Sequence, residues 1–130
     1  MKKTIIILAT LLLSNCVSID PKSIIASSGN KPTNQEAISY VKNYLNDTLL
    51  DRESLRDLKV KEPFAGSYAF NKGWIICFQY NAKNVMGGYA GSSQDQIIVK
   101  NKNASILSSF NQPTNPWLFS QCRSNKWINN

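Results

Sequence analysis

Apolar and polar residues alternate through the second half of this chain and recur at helical spacing in the first. Trp74, Ile76, Phe78 and Tyr80 alternate with Ile75, Cys77 and Gln79. An extended strand sends these two sets to opposite faces. The run is rich in aromatic and β-branched residues, the composition of a pleated, half-buried surface, and its aromatic face is the natural floor of a core. A second apolar run covers residues 96–100, so residues 74–100 read as a long β-hairpin with an elaborate connection. Asn101-Lys102-Asn103 reads as a tight turn, although such turns favour Gly. Residues 104–110 form a last strand with Ile106 and Leu107 on opposite faces. Residues 58–62 alternate apolar and charged, as an edge strand does, and Pro63 ends them. Residues 64–73, with Gly66 and Asn71-Lys72-Gly73, read as a turn into the central strand.

The helical half precedes the strands. Thr33 and Glu36 have the spacing of a capping box, after which Ala37, Ile38, Val41, Leu45 and Leu49 mark one face of a helix over residues 34–50. Lys42, Asn43, Asn46 and Asp47 take the other face. That polar face is not basic, which favours packing on a sheet over lying on lipid. Asp51 is placed to cap a second, short helical turn over residues 51–57. At the far end, Pro113 and Pro116 argue against regular structure, while Trp117, Leu118, Phe119 and Trp127 are too apolar for a free tail and read as a lid across the sheet. The expectation is an α+β domain: one long and one short N-terminal helix on an antiparallel sheet of three to four strands, closed by the C-terminal tail.

Composition narrows the function more by exclusion than by assignment. The chain has 130 residues, an apolar fraction of 42% and no His, enough for one domain without the commonest general base and metal ligand. Its formal charge is +7, spread singly along the chain. A solvated surface accounts for that pattern, with an acidic partner such as lipid headgroups or nucleic acid as the alternative. The glycine cluster at residues 87–91 lacks the order of a phosphate-binding loop. Neither a Cys-x-x-Cys pair nor a carboxylate cage offers a metal site, and the serines have no base beside them. No cofactor is expected. Lys72, Trp74, Tyr80 and Lys83 could compose a basic-aromatic nucleic-acid surface, but the two aromatics are better used as core.

The N-terminus supplies an address. Met1-Lys2-Lys3 precedes an apolar stretch over residues 4–13, too short to span a bilayer, which takes about 20 residues, and flanked like a secretory signal. Leu13-Ser14-Asn15-Cys16 resembles the lipobox of bacterial lipoproteins, with Asn15 where Gly or Ala is usual. The resemblance implies a signal peptide over residues 1–15 and acylation of Cys16, whose chains anchor the protein in a membrane. The competing reading is a plain secretory signal in which Cys16 has no role. Val17 stands where Asp would resemble an inner-membrane retention signal, which favours the outer membrane. Loss of Lys2 and Lys3 with the leader leaves 13 basic against 8 acidic side chains, a balance of +5. Residues 16–33, rich in Ser, Lys, Asn, Gly and Pro, are expected to form a flexible tether reaching roughly 25 Å, with the domain over residues 34–130. If Cys16 is acylated, Cys77 and Cys122 are the two remaining thiols in an oxidising compartment and form a disulfide. The alternative, a reactive thiol, fits poorly with Cys77 among Ile75, Ile76 and Phe78.

One further stretch carries a resemblance. Asn81-Ala82-Lys83-Asn84 followed by Gly87-Gly88-Tyr89-Ala90-Gly91 is similar to a series in small exported bacterial proteins, preceded there by a helix and an acidic-Pro-x-Ser element. Here that element is Asp51-Arg52-Glu53-Ser54, with Arg52 in place of Pro. The resemblance implies an exported α+β domain and no activity. Asn81, Lys83, Asn84, Gly87, Gly88, Tyr89 and Gly91 therefore stand as a candidate binding loop, or as a structural one in which Asn side chains bond local backbone and Gly supplies positive φ. The helices-then-meander order also resembles the small lipoproteins of outer-membrane assembly machines. The functional expectation is a non-enzymatic envelope lipoprotein, a binding or structural module accessory to an assembly or secretion complex, with an envelope protein as partner and no nucleic acid. The alternative is a periplasmic inhibitor of a hydrolase such as lysozyme, against which the positive charge argues, since most lysozymes are basic.

Overall fold

The computed structural model describes residues 20–68, 70–109 and 116–129. Cys16 and the leader before it lie outside the described residues. So do residues 110–115 and the side chains of Trp117, Leu118 and Phe119. The expected lid of aromatic side chains therefore falls largely outside them.

The domain begins earlier than the composition suggests. Pro21–Ser28 is a helix, α1, which replaces that part of the flexible tether expected over residues 16–33. The Asp20 carboxylate caps it by accepting from Lys22 N at 3.0 Å, Pro21 opens it, and Gly29 closes it at φ +79°, a conformation glycine adopts without penalty. Ile24 and Ser28, one turn apart, are buried. The long helix, α2, is Asn34–Thr48. Its capping box closes in both directions: Thr33 Oγ1 accepts from Glu36 N at 3.2 Å and Glu36 Oε2 accepts from Thr33 N at 2.8 Å. Ala37, Val41 and Leu45 bury its inner face. The expected second helical segment shrinks to one 3-10 turn, Arg52–Ser54, capped by Asp51.

Five strands follow: β1 (Arg56–Val60), β2 (Phe64–Tyr68), β3 (Asn71–Asn81), β4 (Ser93–Lys100) and β5 (Asn103–Ser109). The sheet is antiparallel and is organised around β3. On one side β1 pairs with its C-terminal half and β2 with its N-terminal half; on the other lie β4 and then β5. The fifth strand is β2, expected to be a turn. It fits because Gly66 faces Gly73 in register, where side chains would collide. A Cβ on Gly66 would lie 2.5 Å from Ile75 Cγ1, and one on Gly73 would lie 2.8 Å from the Val99 carbonyl oxygen. The β4–β5 turn forms without glycine, Asn101 and Lys102 taking φ +47° and +66°.

The alternation along β3 divides the core as expected. Trp74, Ile76 and Phe78 join Ile24, Val41, Leu45, Ile97 and Val99 beneath α1 and α2. Ile75 and Cys77 join Ile98 and Cys122 on the opposite face. Cys122 lies on a third helix, α3 (Pro116–Ser124), where irregular chain was expected. Pro116 is compatible with it because the first helical position needs no N–H. The Cys77–Cys122 disulfide is formed, with the Cα atoms 5.8 Å apart, and ties α3 to the sheet. The chain beyond α3 returns along β1: Ile128 N donates to Val60 O and Glu62 N to Lys126 O, each at 2.9 Å. Lys61, only 8% exposed, donates from Nζ to the Cys122 and Arg123 carbonyls. It thereby caps the C-terminus of α3, where a cation is favoured by the helix dipole.

Candidate functional site

The β3–β4 connection, residues 82–92, brings the sequence-predicted loop residues into one braced structure. Asn84 organises the turn. Its side-chain Oδ1 accepts from Met86 N at 2.9 Å and Gly88 N at 3.2 Å, while its backbone exchanges bonds with Gly87 and Gly88 at 2.9 Å. This is the local Asn-to-backbone bonding expected of such a residue. Gly87 and Gly91 take φ +79° and +103°, so glycine is conformationally required there. Gly88 is not in that region, and a Cβ on it would meet nothing within 4 Å. Asn81 ends β3 at the root of the loop, its Oδ1 buried with no hydrogen-bond partner.

The brace comes from the 3-10 turn. Ser54, 6% exposed, accepts from Lys83 N through Oγ at 3.0 Å, and its carbonyl accepts from the Tyr89 hydroxyl at 3.0 Å. Lys83 and Tyr89 also bridge each other across the loop. The Arg56 guanidinium stacks 3.4 Å above the Tyr89 ring centre, a cation–π contact, beside a bulge at which Asp57 takes φ +56°. Lys83 Nζ lies 3.9 Å from Asp51 Oδ2, an exposed pair of little energetic weight. The two motif segments, residues 51–54 and 81–91, are thus joined in space through Ser54.

Sequence reasoning missed the tip. Val85 and Met86 project from the braced loop 81% and 87% exposed. The available signal was a bulky apolar pair inside an Asn/Gly segment with no core position to fill. Leu50, 78% exposed, precedes the Asp51 that meets Lys83.

Other candidate chemistry is dispersed or already engaged. Trp74 is buried and its indole N–H donates to Gly29 O. The Tyr80 hydroxyl donates to Asp95 Oδ2 at 3.0 Å, and burial followed by the Asp95 charge pushes its pKa far up. Lys72 lies near the start of β3 and Lys83 in the loop beyond its other end, with buried Trp74 and half-buried Tyr80 between them, so the four residues do not form one exposed basic-aromatic patch. A cavity of about 240 Å³ lies beside the disulfide, lined by Lys61, Gln94, Asp95, Arg123 and Trp127 among others. Burial lowers the Lys61 pKa, but its ammonium is held by the α3 carbonyls. Among the described residues no three His, Cys, Asp or Glu side chains gather as a metal site, and no helix is long and apolar enough to cross a membrane. Comparison with protein-family models, curated proteins and solved structures finds no match.

Proposed function

We propose that the protein is a lipid-anchored lipoprotein of the bacterial outer membrane, tethered through acylated Cys16, that serves as a non-enzymatic binding module for an envelope protein, in an assembly or secretion complex. The observation that carries the binding role is the loop tip. Val85 and Met86 stand in water on a turn held by Asn84, Ser54, Tyr89 and Arg56. Exposing two adjacent bulky apolar side chains gives the fold nothing, whereas a rigid apolar pair is an anchor for a partner's pocket. Pre-organisation lowers the entropy lost on docking. Gly88, which no local demand explains, leaves bare backbone beside the pair for close approach.

The leader and lipobox resemblance support the same reading from a separate direction, and the Cys77–Cys122 bridge is of the kind that persists in an oxidising compartment outside the cytoplasm. A photo-reactive residue placed at Met86, with one at Asn46 on α2 as control, tests the role in living cells. A protein adduct at position 86, absent at 46 and abolished by Val85→Ser, is expected. Identical adducts at both positions, or an adduct at 86 indifferent to Val85→Ser, would overturn the loop assignment.

A further inference from the structure

The end of the molecule opposite the loop carries its own surface. β3 spans Asn71–Asn81, about 33 Å at the usual rise. The loop leaves from its Asn81 end, and the β2–β3 turn with Phe70 lies at its Asn71 end. Ser28 gathers three segments there: its hydroxyl donates to Lys72 O at 2.8 Å and its carbonyl accepts from Asn101 N at 2.7 Å. Lys31 and Lys102 line one groove between the α1–α2 connection and the β4–β5 turn. With Lys72, beside Ser28, and Lys100, at the end of β4, they set four cations against the carboxylate of Glu36, while Lys22 and Asp20 at the start of α1 offset each other in charge. Both carboxylates already hold backbone N–H groups at helix caps. At the loop end Arg52, Arg56 and Lys83 are matched by Asp51, Glu53 and Asp57, so of the +5 balance three charges fall at the Asn71 end and none at the loop end.

Phe70 lies at that basic end, in the β2–β3 turn two residues before Lys72. It is fully exposed, at 105%, and its φ is +68°, a conformation unfavourable for a bulky side chain. Neither packing nor turn geometry calls for an aromatic there. Ile25, on the outer side of α1, is 46% exposed. An exposed aromatic at a lysine-rich end of the fold matches the chemistry of a membrane interface, where rings enter the headgroup level and cations meet anionic lipid.

We propose that this end rests on an anionic phospholipid bilayer, with Phe70 in the interface and the lysines on the headgroups. The proposal rests on the reading of Cys16 as the anchor. Asp20 is four residues beyond Cys16, a reach of at most about 14 Å, and α1 is fixed to the sheet through Ile24. So short a leash holds the α1 end of the domain against the membrane. The consequence is orientation: the Val85–Met86 tip points away from the bilayer at roughly the length of β3, within reach of a partner.

Spin labels on Phe70→Cys and Met86→Cys test the arrangement in the full-length chain reconstituted into vesicles of phosphatidylcholine, with and without phosphatidylglycerol. In phosphatidylglycerol vesicles the label at 70 should be shielded from an aqueous relaxant and reached by oxygen, while the label at 86 stays in water. Lys31→Glu, Lys72→Glu and Lys102→Glu together should return the label at 70 to water while the protein still floats with the vesicles. Flotation with both labels equally wet, or with 86 shielded instead, would overturn the orientation and leave the anchor standing. A label at 70 buried equally in phosphatidylcholine alone would overturn the anionic-lipid assignment. Failure to float with any vesicle would overturn anchor and orientation together.

Discussion

Replacing Ser54 by Ala removes the hydroxyl that joins the loop to the 3-10 turn. Ser54 Oγ accepts from Lys83 N at 3.0 Å and donates to Asp51 O at 2.7 Å, and the residue is buried. A hydrogen bond of this kind contributes about 0.5–1.5 kcal/mol net, and an orphaned buried partner costs about 1–3 kcal/mol. Lys83 is exposed, so water recovers part of its bond, and the expected loss is about 1–2 kcal/mol. Urea unfolding followed by tryptophan fluorescence measures it. Amide exchange locates it: the Lys83 N–H should exchange faster while Ile76, in the middle of β3, is slowed as before. Tyr89→Phe removes the second link to Ser54, the hydroxyl bond at 3.0 Å. Because both links act on one loop, the double variant should lose less than the sum of the singles. Unchanged stability with unchanged Lys83 exchange in Ser54→Ala would refute the brace, and with it the claim that the Val85–Met86 tip is pre-organised.

The other expectations concern the scaffold. Cys77→Ala with Cys122→Ala, which opens a 45-residue separation, should cost about 4 kcal/mol in the chain-entropy model, measured as a lower urea midpoint. Ile24→Ala should cost about 2–5 kcal/mol, since Ile24 is fully buried in the helix-facing core; no effect would mean that α1 is only tether. Gly73→Ala should destabilise by about 1–3 kcal/mol, because its Cβ meets the rigid Val99 carbonyl. Tyr80 titrates with a definite sign. Burial, reinforced by the Asp95 charge, raises its folded pKa, so the folded chain keeps a proton that the unfolded chain releases near pH 10. Stability is therefore fully present below about pH 10 and falls as pH rises above it, and Tyr80→Phe should flatten that fall in thermal unfolding.

What was legible in the sequence was what periodicity or chemistry writes locally. Thr33 and Glu36 specify the start of α2 because the reciprocal bonds need only those two residues, and the aromatic alternation of β3 specifies its faces because strand geometry permits nothing else. The Cys pairing was legible once Cys16 was set aside. α1 was overlooked because a short helix buries only Ile24 among its apolar residues, too little for a periodic signal, although Asp20, Pro21 and Gly29 mark both its ends. β2 was overlooked because its pairing depends on Gly66 meeting Gly73, a contact between segments that local pattern does not carry, and Gly in a strand reads as a turn. α3 is hidden in the sequence because Pro116 has the look of a breaker, although a first helical position accepts proline equally well. In the loop, Asn84 and the glycines were found, since turn chemistry is local. Ser54 and Arg56 as its brace were not, since nothing in the order of residues says that a turn some 30 residues upstream supports Lys83 and Tyr89. The basic end around Phe70 was hidden for the same reason: its lysines are single in the sequence and meet only through the fold.

The most direct test of the lipid-anchored binding module is the intact mass of the membrane-extracted protein, read with an alkylating agent before and after reduction. The account predicts a chain beginning at Cys16 and carrying acyl groups, with two further alkylations appearing only on reduction. An unacylated chain would contradict the anchor and the membrane orientation derived from it. Alkylation of Cys77 without reductant would contradict the bridge that ties α3 to the sheet.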